Sequence, residues 1–166
     1  ATYTATVPAG TRVDLTSDTG SVDVAGRYDA LAVRSDTGGV DVSRAEAPEA
    51  SVRVDTGGIR LGPGVARIGA RTDTGRIRGE GLTASRVNAG TDTGGIDLGF
   101  ASPPDSVELR TDTGGITLRL PRGGYAIDAR TDTGGVDIDP VLQNGSSARR
   151  IVLRTDTGGI TVEVAP

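Results

Sequence analysis

The sequence has no cysteine, histidine, lysine, methionine or tryptophan. Without cysteine there is no disulfide framework and no thiolate metal site. Without histidine the commonest general base and the commonest transition-metal ligand are both missing, which excludes zinc sites and Ser-His-Asp chemistry. One phenylalanine (Phe100) and three tyrosines leave the core to valine, isoleucine, leucine and alanine. No apolar run approaches the roughly 18 residues of a membrane-crossing helix. Basic residues are not in excess. The net charge is −4, and all 18 basic residues are arginine. That is no nucleic-acid footprint. The chain begins at Ala1 and contains no methionine. It reads as a processed product or an excised segment, with any signal or membrane anchor outside it.

Glycine is abundant, at 26 residues, with no Gly-X-Y period, so collagen is excluded. Asp-Thr-Gly occurs eight times, beginning at Asp18, Asp36, Asp55, Asp73, Asp92, Asp112, Asp132 and Asp156, at intervals of 18, 19, 18, 19, 20, 20 and 24 residues. Its flanks repeat as well. Four residues after each Asp stand Val22, Val40, Ile59, Ile77, Ile96, Ile116, Val136 and Ile160, all β-branched. Three before stand Leu15, Val33, Val52, Ala70, Ala89, Leu109, Ala129 and Leu153. Both flanks alternate apolar with polar, the period of strands with one buried face. The intervening glycines mark a turn.

A unit of this length cannot bury its own apolar face, so the units must stack. The pattern predicts an all-β, single-domain parallel β-solenoid over residues 1–166, of about eight coils with a period of 18–20 residues. At one rung per ~4.8 Å it would be a rod of roughly 35–40 Å. Departures from the period locate loops. Residues 139–148 read as a loop insertion before the last coil, and residues 45–49 and 101–105 as proline-bearing corners. The fourth repeat is the weakest, because Arg76 replaces the second glycine and Gly79 an apolar residue. Residues 1–10 lack an Asp-Thr-Gly and read as a partial or capping coil. Open solenoid ends invite self-association.

Asp-Thr-Gly is also the aspartic-protease signature, but that chemistry needs two such loops facing across one cleft. Eight copies at a fixed period cannot all meet that need. The reading here is a structural turn ladder in which each Asp accepts a backbone N–H two residues on, an Asx-turn. Two residues before the Asp stand Arg34, Arg53, Arg71, Arg110, Arg130 and Arg154. Residues i and i+2 share a strand face, so an arginine ladder is expected to offset repulsion between stacked aspartates. Repeats one and five have Thr16 and Gly90 instead, so Asp18 and Asp92 should be the least well paired. No catalytic residue, cofactor or metal ligand is assigned. Two ligand arrays remain as alternatives. One is Ca²⁺ on the Asp ladder, though the Gly-Gly-x-Gly-x-Asp roll motif is absent. The other is ice on the Thr-x-Thr spacing of Thr72/Thr74 through Thr155/Thr157, although alternation points these threonines inward. A β-helix polysaccharide-active enzyme is a third alternative, with no carboxylate spacing in its favour.

The Ser/Thr-Asp-Thr-Gly-Gly-Ile/Val-x-Val/Leu motif resembles that of the bacterial adhesin-like β-strand-repeat family of cell-envelope solenoids. So do the Val7-Pro8-Ala9-Gly10-Thr11 lead-in and Ser17 to Val24. The resemblance covers essentially the whole chain. It implies a β-solenoid without established catalytic residues, held in the bacterial cell envelope or at its surface by a separate anchor. It also implies an interaction role toward a protein or polysaccharide surface.

Overall fold

A computed structural model describes residues 8–166. The expected capping coil therefore lies largely outside the described residues. In chain order the strands are β1 (Thr11–Thr19), β2 (Val22–Thr37), β3 (Val40–Thr56), β4 (Ile59–Leu61), β5 (Val65–Thr74), β6 (Ile77–Leu82) and β7 (Arg86–Thr93). They continue as β8 (Ile96–Phe100), β9 (Ser106–Thr113), β10 (Ile116–Leu120), β11 (Ala126–Thr133), β12 (Val136–Ile138), β13 (Arg150–Thr157) and β14 (Ile160–Val164). A 3-10 turn, Pro140–Leu142, interrupts them. Every strand pairing is parallel, which makes the chain a parallel β-solenoid. One ladder ends in the Asp-Thr of each repeat and the other begins four residues after each Asp. The long strands β2 and β3 bend through the far corner, so each contributes to both ladders.

The alternation in sequence becomes a columnar core. Leu31, Val33, Val52, Ile68, Val87, Leu109, Ile151 and Leu153 are buried from one ladder, and Val40, Ile59, Ile77, Ile96, Leu98, Ile116 and Ile160 from the other. Burying one such side chain contributes about 1.5–3 kcal/mol. With almost no aromatic mass, stability rests on repetition of these columns.

The order of stacking departs from the order of the chain. The first ladder runs β11-β13-β9-β7-β5-β3, and the second runs β4-β6-β8-β10-β14-β12. The last coil, β13 and β14, is thus inserted between the sixth and seventh, and the seventh forms the end of the stack. The segment from Pro121 to Tyr125, with Gly123 and Gly124, steps across the gap of two rungs. Residues 139–149 then bring the chain back. The insertion seen in sequence is this return path. Its Leu142 is fully buried, and the Leu142 carbonyl accepts from Tyr125 N–H at 2.8 Å. Burial follows this order. Ile151, Leu153, Ile160 and Val162 of the inserted rung are almost completely buried, whereas Ile127, Ala129 and Ile138 of the end rung are only half-buried. Placing the more aliphatic rung inside removes more apolar surface from water.

Candidate functional site

The Asp-Thr-Gly corner recurs in every coil. Each Asp-Thr lies at the end of a strand, and the first glycine turns the chain with φ between 118° and 156° at Gly20, Gly38, Gly57, Gly75, Gly94, Gly114, Gly134 and Gly158. A Cβ on Gly114 would collide with the Gly94 carbonyl of the adjoining rung. The second glycine is not constrained in this way. A Cβ on Gly39, Gly58, Gly95, Gly115 or Gly159 would find its nearest neighbour at 3.2–3.7 Å. Arg76 in the fourth repeat is therefore an unstrained variant of the corner, and the rung it belongs to pairs on both sides like its neighbours.

The Asx-turn expected at each Asp does not form among the described residues. The N–H it would capture, two residues on, is already committed to the adjoining rung in every coil except the seventh, which ends the stack. Gly38 N–H donates to the Thr56 carbonyl, and Gly94 N–H to the Thr113 carbonyl, each at 2.8 Å. The hydroxyl that closes the corner belongs to the residue before the Asp. Thr72 donates to the Gly57 carbonyl at 3.0 Å, Thr91 to Gly75 at 3.2 Å, and Thr111 to Gly94 at 3.0 Å. Thr155 donates to Gly114 at 3.0 Å and Thr131 to Gly158 at 2.9 Å. Ser17, Ser35 and Val54 hold this column in the first three repeats. Val54 has no hydroxyl, and the buried Ser35 hydroxyl and Asp55 Oδ1 lack hydrogen-bond partners. Alternation gave the inward direction of this column. The acceptor lies on another rung and is invisible in one repeat. Asx geometry does occur elsewhere, at Asp139 toward Val141 N–H and at Asp41 toward Ser43 N–H.

The eight aspartates form one outward column, exposed except at Asp55 and Asp73, which are half-buried. None faces another across a cleft, so the protease arrangement is absent. The six arginines, all exposed, form the neighbouring column. Arg34 lies 3.7 Å from Asp36 and Arg53 lies 3.9 Å from Asp55. Arg71 reaches 3.4 Å to Asp92 on the next rung, because Gly90 beside it has no side chain. Asp92, expected to be poorly paired, is thereby paired. Arg110 and Arg130 turn the other way, toward Glu108 at 3.6 Å and Asp128 at 2.9 Å. Among the described residues, Arg154 makes no ion pair, and neither do Asp18, Asp73, Asp112, Asp132 and Asp156. Around Gly90 the interrupted arginine column leaves an open hollow of about 480 Å³, whose charged border is Arg71, Asp92, Glu108, Arg110 and Asp112.

Sequence reasoning missed the ion pairs on the other ladder. Arg44 meets Asp23 and Arg60 meets Asp41. The Arg119 guanidinium donates to Asp97 at 2.7 Å and to Glu163 at 3.0 Å, on the rungs either side of it. The hydrogen bond to Asp97 above all raises the pKa of Arg119. Its contact with Glu163, 44 residues away, exists only because the last coil is inserted next to the sixth.

The Thr-x-Thr pairs split between two environments. Thr72, Thr91, Thr111 and Thr155 are buried, while Thr74, Thr93, Thr113, Thr133 and Thr157 are exposed. The exposed face therefore carries one threonine per rung. Among the described residues, no group of three or more acidic side chains could hold a metal ion, and no helix is long and apolar enough to cross a membrane. The corner presents parallel columns of Arg, Asp and Thr at one-rung spacing. No curated protein and no solved structure matches the chain. A family model does match, over residues 2–165, and on that match the chain belongs to the Toastrack DUF4097 family, a domain family of unknown function.

Proposed function

We propose that this chain is a non-catalytic scaffold domain displayed outside the cytoplasm, in a bacterial cell envelope. In this reading it presents fixed columns of charge and hydroxyl to a protein or polysaccharide surface. The observation that carries the reading is the exposed Arg column beside the exposed Asp column, repeated on successive rungs with most members weakly paired or unpaired. Exposed ion pairs at 3.4–3.9 Å contribute only about 0–1 kcal/mol to stability. These arginines can therefore exchange partners at little cost. The hollow at Gly90 gives a carboxylate-bearing polymer access to Arg71 and Arg110 together. The resemblance to adhesin-like envelope proteins supports the location.

The test is co-sedimentation of the purified chain with cell-envelope preparations and with purified acidic cell-wall polysaccharide. Retention that falls with added salt, and falls further in an Arg71→Ser/Arg110→Ser variant of unchanged melting temperature, supports the reading. No retention by any fraction, or turnover of the polysaccharide abolished by replacing a single Asp, would overturn it.

A further inference from the structure

The stack has an open end. Among the described residues β11 pairs only with β13, and β12 only with β14. The outer edge of the seventh coil therefore carries unpaired backbone groups. Its apolar columns also stop in solvent. Val136 is 43% exposed and Ile127, Ala129 and Ile138 are half-buried, while Ile151, Leu153, Ile160 and Val162, in the same columns one rung inward, are at most 1% exposed. An unpaired strand edge with an apolar flank is a template for another strand.

Rungs here dock by column, not by chain order, since the face of β9 receives β13 and not the next strand, β11. The edge that best fits a rung is thus another rung of the same width and alternation. Charge then selects among the ways a second copy could supply one. The outward residues of β11 are Asp128, Arg130 and Asp132. Pairing β11 antiparallel to itself about Ala129 sets Asp128 against the copy's Arg130 and Arg130 against the copy's Asp128. Ile127 then meets the copy's Thr131 on the inner face. Stacking head to tail on β1 in column register would instead set Asp128 on Asp14, Asp132 on Asp18 and, in the other ladder, Asp137 on Asp23. Those are three like-charge contacts with no chain connection to enforce them.

We propose that two copies of this chain associate end to end through β11, antiparallel about Ala129, as a closed two-fold dimer. Within one chain Arg130 Nε already lies 2.9 Å from Asp128 Oδ1. In the dimer the two pairs close into a ring of four alternating charges over a covered apolar floor. The interface does not depend on what the flat faces bind, so its failure would leave that reading intact.

The experiment is light scattering after size exclusion, on the 166-residue chain from micromolar to millimolar concentration. A doubling of mass is expected. Arg130→Asp and Asp128→Arg should each lose the dimer, and the double exchange D128R/R130D should regain it. The two single variants, mixed, should form a heterodimer. The chain lacks cysteine, which permits a second test that changes no charge. Ala129→Cys should oxidise to a covalent dimer, whereas Ala89→Cys, in the same column of an interior rung, should not. A monomer throughout, a dimer indifferent to both single charge reversals, an open-ended polymer, or no covalent dimer of the Ala129→Cys variant would each overturn the proposal.

Discussion

The Thr111 hydroxyl donates to the Gly94 carbonyl at 3.0 Å, joining the strand of one rung to the corner of its neighbour. Five rungs make this bond. In the third repeat Val54 occupies the donor position, so the Gly38 carbonyl receives no hydroxyl there. Val and Thr are nearly equal in volume, which isolates the hydrogen bond. Thr111→Val should cost about 1–2 kcal/mol, the value of a bond whose acceptor is left behind in a part-buried corner. Val54→Thr should stabilise by up to about 1 kcal/mol, by supplying the missing donor. Urea unfolding of the two variants checks both signs, and a loss in Val54→Thr would show that the site cannot orient the hydroxyl.

Gly114 and Gly115 are adjacent and look alike in the repeat, yet the structure separates them. Gly114 has φ +147°, and a Cβ there would strike the Gly94 carbonyl, whereas a Cβ on Gly115 lies 3.4 Å from its nearest neighbour, the Gly159 carbonyl. Gly114→Ala should destabilise by roughly 3 kcal/mol or more, since backbone strain and a steric conflict act together. Gly115→Ala should stay within about 1 kcal/mol of the parent. Thermal melts of the pair give the comparison directly, and equal losses would contradict the geometry of the corner.

Column identity was legible in the sequence because alternation is local: each of Val22 to Ile160 and Leu15 to Leu153 declares its face from its own neighbours. The parallel solenoid followed, since a unit so short must borrow its core. What the sequence concealed depends on contacts between rungs. The acceptor of Thr72 is Gly57, the partner of Arg71 is Asp92, and the partner of Arg119 is Glu163. Each is fixed by which rung lies alongside. Near-identical repeats carry little information on that order, so the insertion of β13 between β9 and β11 could not be read from periodicity. The 24-residue interval was its only trace. The Asx-turn was misread for a related reason, because in every coil but the one at the end of the stack the glycine N–H goes to the adjoining rung and leaves none for the aspartate.

Tyr125 gives the fold an alkaline limit. Its ring is completely buried, and its hydroxyl donates to the Pro121 carbonyl at 2.9 Å. Burial raises its pKa above the ordinary 10.0, and the Arg149 guanidinium partly opposes that shift. The folded pKa exceeds the unfolded one, so the unfolded chain releases the proton first as pH rises. The stability linked to Tyr125 is complete below about pH 10 and declines as pH climbs from there toward the folded pKa. Tyr125→Phe should lose about 0.5–1.5 kcal/mol at neutral pH with the hydroxyl bond, and should flatten the alkaline decline. Urea midpoints at neutral and alkaline pH test this; an unchanged alkaline slope in the variant would assign the decline to another group.

Ile127 and Ile151 occupy the same column on adjacent rungs, and their substitution tests the order of stacking. If the coils stacked in chain order, Ile151 would belong to the terminal rung and Ile127 to an interior one. In the observed order Ile151 lies between Val107 and Ile127 and is fully buried, whereas Ile127 borders the open end. Truncating a fully buried isoleucine removes its transfer free energy and leaves a cavity walled by rungs on both sides, at a cost of about 2–5 kcal/mol. Truncating one at the edge leaves a notch that water fills, so Ile127→Ala should cost less, about 1 kcal/mol. Ile151→Ala is therefore expected to be the more damaging by at least about 1 kcal/mol, measured by urea unfolding at a concentration where both variants are monomeric. The reverse ranking would mean that the coils stack serially. In that case the Arg119 contact with Glu163 and the open edge of β11 would both be lost.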